Sequence, residues 1–263
     1  MTVEVITAKQ FAGLVVETPQ ARIPTFNGLI YGESSVGKTT LAAGADAVPQ
    51  MRSVLFVDIE KGDLSIRKTP YRPDVVRLSN WDQLKKLYHE LLLGPQVHGY
   101  NSVVIDSLNE VVDLNLKDIM VEKSGEEDDT PEWQHWNANQ VRMLRLLRDF
   151  RDLPMNVIFT SLVTERKDAK TGLVKKLPDL PGKLAAKVPA IFDNVFFYYM
   201  KEITNPQTNE KENKRLLLTT ATPDTVAKNR GSDKLPGVII VPPVAEQATM
   251  KTIYEAVIGD SRD

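Results

Sequence analysis

Four short apolar runs mark the first 161 residues: Phe26 to Tyr31, Ser53 to Asp58, Ser102 to Asp106 and Asn156 to Ser161. Each is the length of a buried strand and ends in polar or glycine-containing chain. The stretches between them change period. Thr39 to Ala47 is rich in alanine and leucine and predicts a helix. Trp81, Leu84, Leu87, Tyr88, Leu91 and Leu92 recur at helical spacing behind a capping box at Ser79 and Asp82, and Gly94-Pro95 ends that helix. Leu108, Val111, Val112 and Ile119 share one face of a third helix, and Trp133 to Asp152 forms a fourth. Strands alternating with helices predict an α/β fold with a mostly parallel sheet covered on both faces.

Beyond residue 190 the pattern becomes antiparallel. Asn194 to Met200 and Arg215 to Thr220 read as strands joined across Asn205 to Asn209, a hairpin expected at the sheet's edge. The expected organisation is an arm or peripheral strand over residues 1–24, a core over 25–241 and a helical tail over 242–263. Glu122 to Glu132 holds six acids against one lysine and reads as an exposed, mobile loop.

Composition narrows the chemistry. The 263 residues are 42% hydrophobic and 26% charged, a globular balance. The absence of cysteine excludes disulfides, thiolate metal sites and cysteine nucleophiles, and fits a cytoplasmic protein. No apolar run approaches the roughly 18 residues of a membrane span, and no secretory leader is expected. A net charge of -2 makes any nucleic-acid contact a local property.

The first strand runs directly into Gly32-Glu33-Ser34-Ser35-Val36-Gly37-Lys38-Thr39-Thr40. This is a phosphate loop, whose glycines let successive amides turn toward one anion ahead of a helix. In this pattern Lys38 serves the β- and γ-phosphates of ATP, and the Thr39 hydroxyl ligates Mg²⁺. Val103-Val104-Ile105-Asp106 closes the third strand with a carboxylate suited to the metal's water shell. The alternative is that Asp106 or Ser107 caps the next helix, since Ser107 with Glu110 also fits a capping box. Val57-Asp58-Ile59-Glu60 ends the second strand, and Glu60 is the candidate for orienting the attacking water.

Together these stretches resemble the RecA family of recombination ATPases, and most of all the compact RecA-like nucleotide-binding and single-strand annealing proteins of bacteriophages. The resemblance extends over about residues 26 to 232. It implies an ATPase that binds single-stranded DNA, assembles into a ring or filament with ATP between subunits, and works beside a phage single-strand binding protein in a bacterial host's cytoplasm. Lys228-Asn229-Arg230 is similar to that family's Lys-Asn-Lys stretch, which implies that Lys228 and Arg230 reach a neighbouring subunit's γ-phosphate. Two features depart from the family. Thr160 and Ser161 stand where its phosphate-sensing glutamine is expected, and the N-terminal arm shows no aromatic polymerisation motif.

Glu165 to Lys187 carries seven basic residues against three acids, among them Arg166, Lys167, Lys170, Lys175 and Lys176. A flexible basic loop follows a phosphate backbone, and the resemblance places a DNA-binding loop here. A solvated lysine-rich hairpin is the plainer alternative. Arg142, Arg145, Arg148 and Arg151 spread around half a helix and read as a solvated or interface face, with Trp133 and Trp136 as core or interface anchors. A different class of function also fits: a nucleotide-gated loader or adaptor for a replication protein. A small-molecule kinase and a GTPase fit less well, for want of an arginine-rich lid and of a guanine-recognition motif.

Overall fold

The four apolar runs lie side by side, as their burial requires. The computed structural model describes residues 9–12, 14–16, 24–124, 130–167, 172–204, 209–230, 233–242 and 249–259. Strands β3 (Asn27–Gly32), β4 (Val54–Asp58), β5 (Asp74–Arg77), β6 (Ser102–Asp106), β7 (Asn156–Lys167) and β9 (Asn194–Thr204) form a parallel sheet in the order β5-β4-β6-β7-β3-β9. Strand β10 (Lys211–Leu218) pairs antiparallel with β9, and β12 (Val238–Val241) antiparallel with β10. The expected edge hairpin is therefore internal. Its first strand extends the parallel sheet, and β12 covers its second. Two short strands, β1 (Lys9–Phe11) and β2 (Leu14–Val16), make a separate antiparallel pair within the N-terminal arm.

Helices cover both faces of the sheet, and the single turns α2 (Leu64–Arg67) and α4 (Pro95–His98) lie in the connections between strands. On one face α3 (Trp81–Leu91), α5 (Leu108–Ser124), α6 (Trp133–Arg151) and α7 (Leu184–Ile191) bury Leu84, Val111, Leu147 and Val188 against Val103, Val157 and Phe159. On the other, α1 (Lys38–Ala43) and α8 (Thr249–Val257) bury Leu41, Ile253 and Tyr254 against Ile30, Phe56 and Phe196. The C-terminal helix thus packs on the core as an integral layer. Doubly covered strands explain why Val103, Val104 and Ile105 are apolar without alternation.

Local chemistry shifts several boundaries. The cap of α3 is Asn80, not Ser79: its side chain accepts from the Gln83 amide while Gln83 takes the Ser79 amide at 2.8 Å. Helix α5 runs on to Ser124, so the acidic stretch begins helical; residues 125–129 lie outside the described residues. The basic segment changes most. Strand β7 continues past the sheet to Lys167 and turns back as β8 (Val174–Pro178), with Arg166 opposite Lys175 and Glu165 opposite Lys176. The described part of the expected flexible loop is an ordered hairpin, because β-branched and long aliphatic side chains on both arms sustain the ladder. Trp133 is 80% exposed, which removes it from the core.

Candidate nucleotide site

The site is built at the carboxyl ends of the parallel strands, where the chain leaves β3. Two glycines are fixed there by geometry. A Cβ at Gly32 would stand 1.9 Å from the Tyr198 carbonyl oxygen, because β9 runs hard against the loop's entrance. Gly37 has φ of 106°, a left-handed conformation that other residues resist. Between them Ser35 also has positive φ, at 62°. Lys38 folds back across the turn and donates to the carbonyl oxygens of Glu33 at 2.7 Å and Gly32 at 3.2 Å. Burial lowers its pKa, while Asp106, Glu60 and Glu33 draw it back up. A cation spanning its own loop in this way sits over the cradle that an anion would fill.

Asp106 is 1% exposed, and two hydroxyls approach its carboxylate. Thr39 donates to Oδ2 at 2.7 Å, and Thr160 donates to Oδ1 in a short contact. Strands β4 and β6 bring Asp58 opposite Asp106 in register, and Asp106 also accepts from the Ile59 amide at 2.9 Å through its backbone oxygen. Burial raises the Asp106 pKa, the two threonines oppose that rise, and the neighbouring Glu60 and Asp58 add to it. A buried carboxylate held by two hydroxyls, with a lysine and a phosphate loop alongside, suits a hydrated divalent cation. The donor set fits Mg²⁺: hard oxygens, few in number, with room left for water and phosphate oxygens.

Glu60 follows β4 at the same edge and accepts a short hydrogen bond from the Ser107 hydroxyl. Ser107 stands directly before α5, where its carbonyl accepts from the Val111 amide at 3.2 Å while its hydroxyl donates to Glu60. Glu60 is exposed and stands beside the Asp106 cluster. Thr160, named in sequence only as the occupant of a missing glutamine's place, turns out to hold Asp106. Ser161 and the Leu162 amide both donate to the Asn109 side-chain oxygen, at 3.1 and 2.9 Å, and the Asn109 amide donates to the Asp179 carbonyl at 2.6 Å. Asn109 thus ties α5 to β7 and to the chain after β8. Nothing local in the sequence marks it.

Lys228 and Arg230 are not at this edge. Lys228 pairs with Val195 through the two-residue strand β11 (Lys228–Asn229), near the amino end of β9. Its ammonium donates to the Pro189 carbonyl at 3.0 Å, and Arg230 pairs with Asp193 at 3.1 Å. Gly32 aligns with Tyr198 and Gly28 with Asn194, so roughly four strand residues, about 13 Å, separate these cations from the loop. They do not meet their own chain's phosphate loop.

The basic hairpin β7–β8 projects from the same edge as the loop. Arg166 spends its guanidinium on the carbonyl oxygens of Gly182, at 2.6 Å, and Leu180. Lys176 lies over the Phe197 ring at 5.5 Å. Lys167 is exposed, Lys175 is half-buried, and Lys170 lies outside the described residues. The arginines of α6 are occupied locally: Arg142 with Asp118 at 2.9 Å and with Glu122, Arg151 with Asp152 at 2.8 Å. Among the described residues no helix is long and apolar enough to cross a membrane.

The flagellar accessory protein FlaH from Methanocaldococcus jannaschii superposes with a TM-score of 0.44 at 12% identity, over 81% of this chain and 83% of that one. No curated protein matches the chain. A family model for an AAA domain, AAA_24, matches residues 26–231, which takes in the phosphate loop, Glu60, Asp106 and Arg230. Because that match spans most of the chain, the chain belongs to the AAA_24 family of AAA domains.

Proposed function

We propose that this chain is a Mg²⁺-dependent ATPase that binds single-stranded DNA through the β7–β8 hairpin and acts in DNA recombination as an oligomer. The observation that carries the ATPase half is the 2.7 Å contact between the Thr39 hydroxyl and the buried Asp106 carboxylate beneath the phosphate loop. When bound, Mg²⁺ supplies charge neutralisation for the triphosphate as the terminal phosphoryl group transfers. Thr39 and Asp106 would hold it. Lys38 exchanges the Gly32 and Glu33 carbonyls for phosphate oxygens, and the loop amides from Ser34 to Thr40 bind the rest. Glu60, kept in place by Ser107, accepts a hydrogen bond from water and so orients it for attack. Thr160 fixes the second oxygen of Asp106, so that the carboxylate presents the other toward Thr39.

For DNA, support comes from the hairpin's position and its links. Its base is joined to the segment that leads to Lys228: the Lys176 amide donates to the Asp224 carbonyl at 2.7 Å, and the Val226 amide to the Lys176 carbonyl at 3.3 Å. The Tyr31 hydroxyl, at the entrance to the phosphate loop, donates to both Val226 and Lys176 carbonyls. A strand bound on the hairpin would be felt at the loop and at β11 through these bonds. Lys228 and Arg230, too far from their own loop, suit a neighbour's triphosphate instead. The 80% exposure of Trp133 favours a second reading, in which the chain is a nucleotide-gated adaptor presenting α6 to a replication protein. Steady-state ATP hydrolysis with and without single-stranded DNA separates the two. Stimulation is expected here, and indifference to DNA would favour the adaptor.

A further inference from the structure

Two buried polar atoms lie against the phosphate loop without partners: the hydroxyl of Tyr198 on β9 and Nε of Arg215 on β10. They are neighbours in the fold. Leu217 stands opposite Tyr198 in the β9–β10 ladder, and Arg215, two residues along, shares that face and lies further toward the carboxyl edge. A Cβ placed on Gly37 would stand 3.8 Å from the Tyr198 hydroxyl and 3.9 Å from Arg215 Nε. Burial pushes the Tyr198 pKa up to about 12, against the pull of the Arg215 charge. Among the described residues no carboxylate pairs with Arg215, although Arg67, Arg77, Arg142, Arg151 and Arg230 each form an ion pair. Leaving a guanidinium donor buried and unsatisfied is costly unless an acceptor arrives.

The order of the sheet says which acceptor. Asp106 on β6 and Glu60 after β4 lie on one side of β3, and this is the side for the terminal phosphate. Strands β9 and β10 lie on the other side. A nucleotide laid along this edge, with its terminal phosphate toward Asp106, therefore turns its α-phosphate and sugar toward β10. We propose that Arg215 is a nucleotide-binding residue supplied by the chain's own antiparallel strand, donating to the α-phosphate end of the nucleotide, with Tyr198 positioning the guanidinium beside Gly37. This rests on the assignment of the phosphate loop to ATP and adds a cation on the side opposite the metal.

The test is calorimetric titration of the full chain, as Arg215→Met and Arg215→Lys, with Mg-ADP and Mg-ATP, together with the melting temperature of each nucleotide-free protein. A charge-assisted contact to the α-phosphate predicts that Arg215→Met weakens both nucleotides alike, by about 10- to 100-fold. Arg215→Lys, which keeps the charge without the fork, falls between. The nucleotide-free melting temperature of Arg215→Met is expected to stay level or rise, because an unsatisfied donor is removed. Unchanged affinities overturn the proposal. So does a loss confined to ATP, which would place Arg215 at the terminal phosphate, and so does a lowered nucleotide-free melting temperature with affinities intact, which assigns Arg215 to structure. Failure of the unsubstituted protein to bind Mg-ADP would overturn the nucleotide assignment itself, and this inference with it.

Discussion

The phosphate-loop edge and the basic hairpin begin a few residues apart on the same sheet, yet they are organised by opposite means. At the loop, polar groups gathered around the buried Asp106, Ser107 and Thr160 hold one another: Lys38 to Glu33 and Gly32, Thr39 and Thr160 to Asp106, Ser107 to Glu60. On the hairpin, cations are spent one at a time on whatever lies near: Arg166 on loop carbonyls, Lys176 on the Phe197 ring. Lys167 is left to solvent. Burial explains the difference. A desolvated carboxylate or ammonium must find partners, which forces a fixed constellation, whereas a solvated lysine is satisfied by water. Chemistry is expected at the first region and adaptable, salt-sensitive contact at the second.

Breaking the loop should give the largest effect. Lys38→Ala is expected to lower ATP turnover by at least about 100-fold, the scale lost with a preorganised charge partner of a transition state. Steady-state phosphate release measures it. Asp106→Asn should likewise abolish Mg²⁺-dependent turnover, and it also carries a stability signature. Burial raises the folded-state pKa of Asp106, so the folded protein binds that proton more tightly than the unfolded chain does. The stability it contributes is full at acid pH and is lost as pH rises through the folded pKa. The neutral amide escapes that loss, so nucleotide-free Asp106→Asn should melt higher than the parent at pH 7, with the gain shrinking in acid.

On the hairpin the expected effects are smaller and of another kind. Charge reversal at Lys167 and Lys175 should weaken single-stranded DNA binding and flatten its salt dependence by about two phosphate contacts, leaving ATP binding unchanged; anisotropy at several salt concentrations reads both. Arg166→Ala removes two bonds to backbone carbonyls and should cost about 1–2 kcal/mol in a denaturant melt, because its work is structural. Trp133→Ala, at an exposed position, should shift stability by no more than about 0.5 kcal/mol. A stability loss there well above that figure would show that α6 is more deeply packed than its exposure indicates.

The sequence made the loop region readable because its signals are local. The four core strands appeared as apolar runs within a residue of their true starts, and the glycine spacing of residues 32 to 40 carries its own mechanism. What stayed hidden depends on contacts distant in sequence. Ser107 reads as a cap because Glu110 follows it, and its hydrogen bond to Glu60, beyond the end of a neighbouring strand, has no local signal. The second half of β7 has only β8 beside it, so Glu165 to Lys167 lacks the apolar run of a core strand and reads as the start of a loop. Strand β5 is short and exposed, and β12 is four residues on an edge. Asn109, Tyr198 and Arg215 owe their roles to packing alone. The positions of Lys228 and Arg230 at the amino end of β9 likewise follow from a pairing that no motif announces.

The proposed ATPase depends on a divalent cation shared by Thr39 and Asp106. ATP turnover by the unsubstituted chain, measured across a magnesium titration beside Thr39→Ala and Asp106→Asn, tests it most directly. Turnover is expected to require Mg²⁺, to demand far more of it in Thr39→Ala, and to vanish in Asp106→Asn at any concentration. Turnover that persists without a divalent ion, or that survives Asp106→Asn undiminished, would contradict the account.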